Sequence, residues 1–310
     1  MTPDYQLTSI PARNCTPSHV RGFLIEPDIL RVPAGPGALH VERYGHGGEQ
    51  IVLLHGFGTS SFLWRTVAPA LATEGHTAHA IDLLGYGESD RPFDADYTLG
   101  AQAECIDRAL SSLRLTRVSL VGIDIGAAVA TMLIMARPAR VARLVMINPV
   151  LLDEIPGGDV RAVQRGTAKF ALRVGRGVLG VAPLLTPVLE ESVADRRSMP
   201  PRLVARYLAP FVGSDGVSHL LTLARSVRRE DLEGLEPGKI HVPTLIIWGE
   251  EDRWVDSGFG ERIQATIPGS TLVRLPGVGR LVPEEASDSL SRLLLEFIVQ
   301  HPSATTAPSP

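Results

Sequence analysis

The sequence predicts an α/β fold: a mostly parallel sheet with helices on both faces, interrupted once by an inserted helical cap. Three observations carry this. Apolar runs alternate with amphipathic stretches from about Leu39 to Ile147, and again from Val242 to Val299. From about Val150 to Pro237 the alternation stops, and the chain turns arginine-rich with Gly and Pro interruptions. A short apolar run, Val118–Ile123, meets Asp124 and then a run of small residues suited to a buried helix. With 310 residues, 44% of them hydrophobic, there is ample material for one large core.

Taken in order, residues 1–36 are polar and proline-dotted, and read as a partly ordered arm with one strand near Leu30–Val32. The first part of the core spans 37–150. Leu39–Tyr44 is expected as an edge strand and Gln50–Leu54 as a buried one. Ser60–Glu74 reads as a helix, with Phe62, Trp64, Val67 and Leu71 available for packing. His76–Ile81 is a strand, and the Gly/Asp/Pro-rich run to Asp96 is a loop. Leu99–Leu113 is an amphipathic helix, Arg117–Ile123 a strand, Ala127–Arg137 a helix ended by Pro138, and Val141–Ile147 a strand. The cap, 151–237, shows helix-like pieces at Val160–Arg173 and Arg202–Leu208. The second part of the core, 238–300, holds a strand at Val242–Trp248, a helix at Phe259–Thr266, a strand at Thr271–Leu275 and a helix from Pro283 to Val299. The composition of 301–310 is that of a disordered tail.

The segment around Asp124 has its own chemistry. Gly122-Ile123-Asp124-Ile125-Gly126 has the layout of a nucleophile elbow, strand then sharp turn then helix, with Asp in the central place. The glycines leave room for a strained turn that lifts the central side chain above the sheet. The alternative is an Asp that merely caps the helix.

Two further segments bear on that choice. Ile51–Leu54 runs into His55-Gly56-Phe57-Gly58. Asp82-Leu83-Leu84-Gly85-Tyr86-Gly87-Glu88-Ser89-Asp90-Arg91-Pro92 follows after the length of one helix and one strand. In this order and spacing, from about Gly37 to Gln300, the chain resembles the α/β-hydrolase superfamily. An Asp at the elbow resembles its haloalkane dehalogenase and epoxide hydrolase branch. The resemblance implies Asp124 as the nucleophile, Asp252 as the acid that orients the base, and the N–H groups of Phe57 and Ile125 as oxyanion donors. It also implies a histidine in a segment shaped Pro-Gly-x-Gly-His. Here that segment is Pro276-Gly277-Val278-Gly279-Arg280.

Arginine for histidine alters the chemistry. Carboxylate attack leaves an alkyl-enzyme ester that a base must help water to cleave. A guanidinium, with a pKa above about 12, accepts no proton near neutrality. An Asp124–Arg280–Asp252 set suits general acid–base work on a carbonyl compound instead. Other departures point the same way. Ile125 stands where haloalkane dehalogenases place Trp and fluoroacetate dehalogenases Arg, and the cap offers only Tyr207 where epoxide hydrolases use a pair of tyrosines.

Trp64, Tyr207, Trp254, His55 and His219 are the candidates for lining a substrate cavity, each with a plain structural reading beside it. Net charge is −4 with the two signs interspersed, so nucleic acid is not an expected partner. Cys15 and Cys105 lie in no metal or redox spacing, and a cytosolic protein with reduced thiols is expected. No signal peptide, membrane span, metal or cofactor motif is read from the chain. The partner is a small-molecule substrate. Three function classes stand open: a lyase- or cyclase-like enzyme acting without water, as in secondary metabolism; an Asp-nucleophile hydrolase with another base; and a non-catalytic binder.

Overall fold

The computed structural model describes residues 25–165 and 180–303. Cys15, most of the arm, the end of the helix expected over 160–173 and most of the tail lie outside them. The sheet has eight strands: β1 (Asp28–Pro33), β2 (Ala38–Tyr44), β3 (Gln50–Leu54), β4 (Thr77–Ile81), β5 (Val118–Ile123), β6 (Val141–Ile147), β7 (Thr244–Gly249) and β8 (Thr271–Leu275). Their spatial order is β1-β2-β4-β3-β5-β6-β7-β8. β2 is antiparallel to both β1 and β4, and the other pairings are parallel. β3, β5, β6 and β7 are buried almost throughout, as strands covered on both faces must be. This is the α/β-hydrolase fold.

The helices are α1 (Val67–Thr73), α2 (Leu99–Ser112), α3 (Ile125–Ala136), α4 (Ala182–Glu191), α5 (Pro201–Leu208), α6 (Gly216–Ser226), α7 (Phe259–Thr266), α8 (Val282–Glu285) and α9 (Ser287–Gln300). Several expectations change. β2 is not an edge strand, because β1 pairs along its whole length. The helix expected over Ser60–Glu74 is a 3-10 turn at Ser61–Trp64 followed by α1. Pro69 accounts for the break: it lacks an N–H and its ring would clash with the Arg65 carbonyl, so it fits only in a first turn. The last helix is split at Ala286, whose φ/ψ of −141/40° is not helical. In the cap, α4 and α6 are additions; Pro187 inside α4 had hidden the first.

The segment between β6 and β7 lies over the carboxyl ends of the parallel strands, held there by hydrogen bonds to the core. The Tyr207 hydroxyl of α5 donates to Glu284, which also takes both Arg65 Nη atoms at 2.7 and 2.6 Å. His219 of α6 bonds the Gly85 carbonyl at 2.6 Å, and Arg91 reaches the Pro210 carbonyl. The Leu281 N–H donates to the Ser192 carbonyl at 2.9 Å. Glu285 receives the N–H groups of Gly279, Ala194 and Asp195 at 2.7 to 3.0 Å.

Glu284→Ala leaves a buried phenol and a half-buried guanidinium without their shared acceptor. A loss of about 1.5–3 kcal/mol in urea-denaturation stability is expected, with Glu284→Gln intermediate.

Candidate active site

β5 ends at Ile123 and α3 begins at Ile125, so Asp124 alone makes the turn. Its φ of 57° and ψ of −122° lie in a region that non-glycine residues rarely occupy. Its N–H is held by the Ile147 carbonyl at 3.1 Å, and its own carbonyl accepts from Ala127 N–H at 3.1 Å. The turn requires its glycines. A Cβ on Gly126 would lie 2.5 Å from the Leu54 and His55 carbonyl oxygens, and one on Gly122 would collide with the Gly126 carbonyl.

The Asp124 carboxylate points into the space between β3 and the loop after β8. Oδ2 accepts from Phe57 N–H at 2.8 Å, and Oδ1 accepts from Arg280 Nη2. Phe57 therefore serves the carboxylate itself, whereas the sequence assigned it to substrate. Ile125 keeps a backbone N–H at the first position of α3, where no helical acceptor exists.

Arg280 is 1% exposed and spans the site. Its Nη1 donates to Asp252 Oδ2 at 3.1 Å. Asp252 also accepts from Asn148 Nδ2 at 3.0 Å, Trp254 N–H at 2.8 Å and Val255 N–H at 3.3 Å. Asn148, in the left-handed region at φ 37°, is tied by its amide to both the N–H and the carbonyl of Gly249. Asp124, Arg280 and Asp252, named from three separate segments, thus meet at the carboxyl ends of β5, β7 and β8.

A fourth member lies outside the sequence motifs. Asp159, at the start of helical residues 158–165 in the inserted segment, is 2% exposed. Its Oδ2 stands 3.7 Å from Arg280 Nε. Three carboxylates face one guanidinium. Burial pushes the Asp124 carboxyl up to about 7, and the Asp159 charge adds to the rise; Arg280 and the Phe57 N–H hold it down. Burial opposes the Arg280 charge, but Asp124, Asp159 and Asp252 outweigh it and raise the guanidinium above its ordinary range.

Tyr86, from the Gly85-Tyr86-Gly87 turn, was also unassigned. It is 2% exposed, edge-on to His55 at 5.1 Å and to Phe57 at 6.5 Å between ring centroids. Burial raises its pKa above the ordinary phenol range, and the Asp124 and Asp159 charges raise it further.

The remaining residues named for substrate are committed elsewhere. His55 Nε2 accepts from Leu83 N–H at 3.1 Å while Nδ1 lies 2.8 Å from the Gly56 carbonyl, and burial keeps the ring neutral. His219 and Tyr207 are the cap contacts given above, and burial also lowers the His219 pKa. Trp64 is wholly buried in the core, its indole N–H without a partner among the described residues. Trp254 donates its indole N–H to Ser192 Oγ at 2.9 Å. Two surface grooves, of about 220 Å³ beside His40 and Asp82 and about 470 Å³ between α2 and α3, include none of Asp124, Asp159, Asp252 or Arg280.

Comparison with known proteins agrees with the fold. The family described as alpha/beta hydrolase fold matches residues 50–287. A haloalkane dehalogenase of Mycobacterium marinum is 31% identical over 217 residues, 66% of this chain and 69% of that protein. A 2-hydroxy-6-oxononadienedioate/2-hydroxy-6-oxononatrienedioate hydrolase of Pseudomonas putida is 29% identical over 271 residues, 85% and 92% of the two chains. A crystal structure of an alpha/beta hydrolase fold protein from Burkholderia ambifaria superposes with a TM-score of 0.76 at 27% identity, covering 87% of this chain and 98% of that one. Among the described residues no helix is long and apolar enough to cross a membrane. With its elbow, its sheet order and the family match in agreement, the chain belongs to the alpha/beta hydrolase fold family.

Proposed function

We propose that this alpha/beta-hydrolase-fold enzyme works by proton transfer on a small organic carbonyl or ester compound, in an elimination, ring closure or rearrangement. The observation that supports this is Arg280. It stands at the base position, bonded to Asp124 and Asp252, and its raised pKa forbids it to accept a proton. His55 and His219 are held by backbone groups of the Asp82–Pro92 turn and its neighbours, so neither is offered as a substitute base. A carboxyl titrating near 7 is suited to take and return protons at neutral pH. Asp252, with four donors, fixes the guanidinium, and Arg280 fixes Asp124. The Ile125 N–H is the donor left for a developing oxyanion or enolate.

A second reading, an Asp-nucleophile hydrolase, draws on the hydrolase names of the relatives and on the Asp124 Oδ2 contact with Phe57 N–H. Under that reading attack would stop at an ester on Asp124 for want of a base.

The two readings part on simple probes. No multiple turnover is expected on p-nitrophenyl esters, short haloalkanes or styrene oxide, and heavy-oxygen water should leave no label in product. A labelled product formed over many turnovers would overturn the proposal. Uncharged ketones in heavy water should exchange their α-protons, and Asp124→Asn should slow this by about two to four orders of magnitude. Arg280→Lys loses the fork, and with it roughly ten- to hundredfold in rate, from about 1.5–3 kcal/mol per charged hydrogen bond.

Stability should also report Asp124. Its folded pKa lies near 7, above the ordinary 3.8. The stability its proton confers is therefore complete below about 3.8 and lost as pH rises through about 7. Melts of the wild type should fall between pH 5 and pH 8 by more than those of Asp124→Asn.

A further inference from the structure

Arg280 presents three nitrogens, and each stands against a different carboxylate. Nη2 donates to Asp124 Oδ1, Nη1 donates to Asp252 Oδ2 at 3.1 Å, and Nε lies 3.7 Å from Asp159 Oδ2. The four side chains are 4% exposed or less. Asp124 and Asp252 stand at the ends of core strands, whereas Asp159 comes from the inserted segment. At 3.7 Å the Asp159 contact is an ion pair without a hydrogen bond, so it acts through charge. Charges buried together are little screened by salt or water. The guanidinium that favours an Asp124 carboxylate therefore carries a second acid on its Nε edge.

The insertion is shaped to deliver that acid. Gly157 and Gly158 are buried immediately before Asp159. A Cβ on Gly157 would lie 2.5 Å from Asp159 Oδ1 and 3.4 Å from Arg280 Nη2, and one on Gly158 would lie 2.7 Å from the Trp254 carbonyl oxygen. The two glycines let the backbone lie flat against the guanidinium and against the loop that bears Asp252. The ordinary reading of Asp159 is a helix cap, since its Oδ1 accepts from Val160 N–H at 2.8 Å near the start of helical residues 158–165. Capping engages Oδ1 and does not require Oδ2 beside Arg280 Nε. The charged and titratable groups that act on one another here are Asp124 after β5, Asp252 after β7, Arg280 after β8, Asp159 from the insertion and Tyr86 after β4.

The role rests on the proton-transfer reading above, in which Asp124 takes and returns protons. We propose that Asp159 is a positioning residue: seated by Gly157 and Gly158 on the Nε edge of Arg280, it fixes how much of the guanidinium's charge acts on Asp124. Asp252 holds the fork in place, and Asp159 sets its strength. Burial is the main cause that raises the Asp124 pKa, and the Asp159 charge adds to it. Without that charge Arg280 favours the Asp124 carboxylate more strongly. Asp124 then ionises at lower pH and becomes a weaker base. A carboxyl of the core owes part of its basicity to the cap.

Asparagine keeps the helix cap and removes the charge, so Asp159→Asn separates the two roles. The readout is the titration of Asp124 by carbon-13 NMR of protein labelled at the aspartate carboxyls, its signal assigned by its loss in Asp124→Asn. No substrate is needed. The wild-type midpoint should lie at about 7 and fall by about one pH unit in Asp159→Asn. A capping role alone leaves it where it was, so an unmoved or raised midpoint would overturn the proposal. Asp159→Ser, also a capping residue, should lower the midpoint in the same way and carries the test where the asparagine variant does not fold. A wild-type midpoint in the ordinary carboxylate range overturns the proposal with no variant at all. Exchange of the α-protons of acetone in heavy water gives the kinetic arm. Its acid limb should move to lower pH in Asp159→Asn by the same interval as the midpoint, and its plateau should drop severalfold as the base weakens. A lower plateau on an unmoved limb would mark Asp159 as merely structural. Absence of exchange in the wild type sinks the proton-transfer reading, while the NMR midpoints still decide what Asp159 does to Asp124.

Discussion

The site depends on a guanidinium buried among carboxylates. Arg280 is a rigid fork, and each of its nitrogens faces a different chain segment: Asp124 from the elbow, Asp252 from the loop after β7, Asp159 from the insertion. A charge so placed is tolerated only because its partners are arranged before it arrives. Asn148 and the turn N–H groups orient Asp252, and the strained elbow orients Asp124. A second buried arginine, Arg143, makes the contrast clear. At the other end of the sheet it pairs with one carboxylate, Glu49, and with Ser119 and backbone. That arrangement balances charge and asks for no chemistry. The arrangement at Arg280 has an excess of acid over base, and burial, with the Asp159 charge adding to it, gives Asp124 a pKa suited to neutral pH.

The elbow, the sheet and the three motif residues were legible because each rests on local chemistry. Gly122 and Gly126 mark a turn that only glycine permits, and apolar runs such as Val141–Ile147 mark strands covered on both faces. Tertiary contacts decided the rest. Nothing in the neighbourhood of Tyr207 says that its hydroxyl meets Glu284, seventy-seven residues on. His55 looked like a ring near a substrate, yet its two nitrogens serve Leu83 and Gly56. Phe57 was read as a donor to substrate because the sequence does not say where the Asp124 carboxylate points.

Asp159 and Tyr86 escaped notice for different reasons. Asp159 follows two glycines at the edge of a segment without periodicity, and only its burial against Arg280 distinguishes it from a helix-capping Asp. Tyr86 sits in a turn whose glycines drew the attention, and a tyrosine between glycines reads as packing. In both cases the informative property, burial of a polar side chain within the field of the Asp124 carboxylate, exists only in three dimensions.

Glu285 gives the architecture a consequence for how such proteins diverge. One carboxylate grips Gly279 beside Arg280 and Ala194 and Asp195 in the insertion, and Ser192 is bonded to both Leu281 and Trp254. The insertion and the loop bearing Arg280 are therefore not interchangeable modules. A cap whose backbone ran differently at residues 192–195, or that lacked Asp159, would leave Glu285 and Arg280 short of partners. Residues 192–195 are the anchor about which the rest of the insertion can vary.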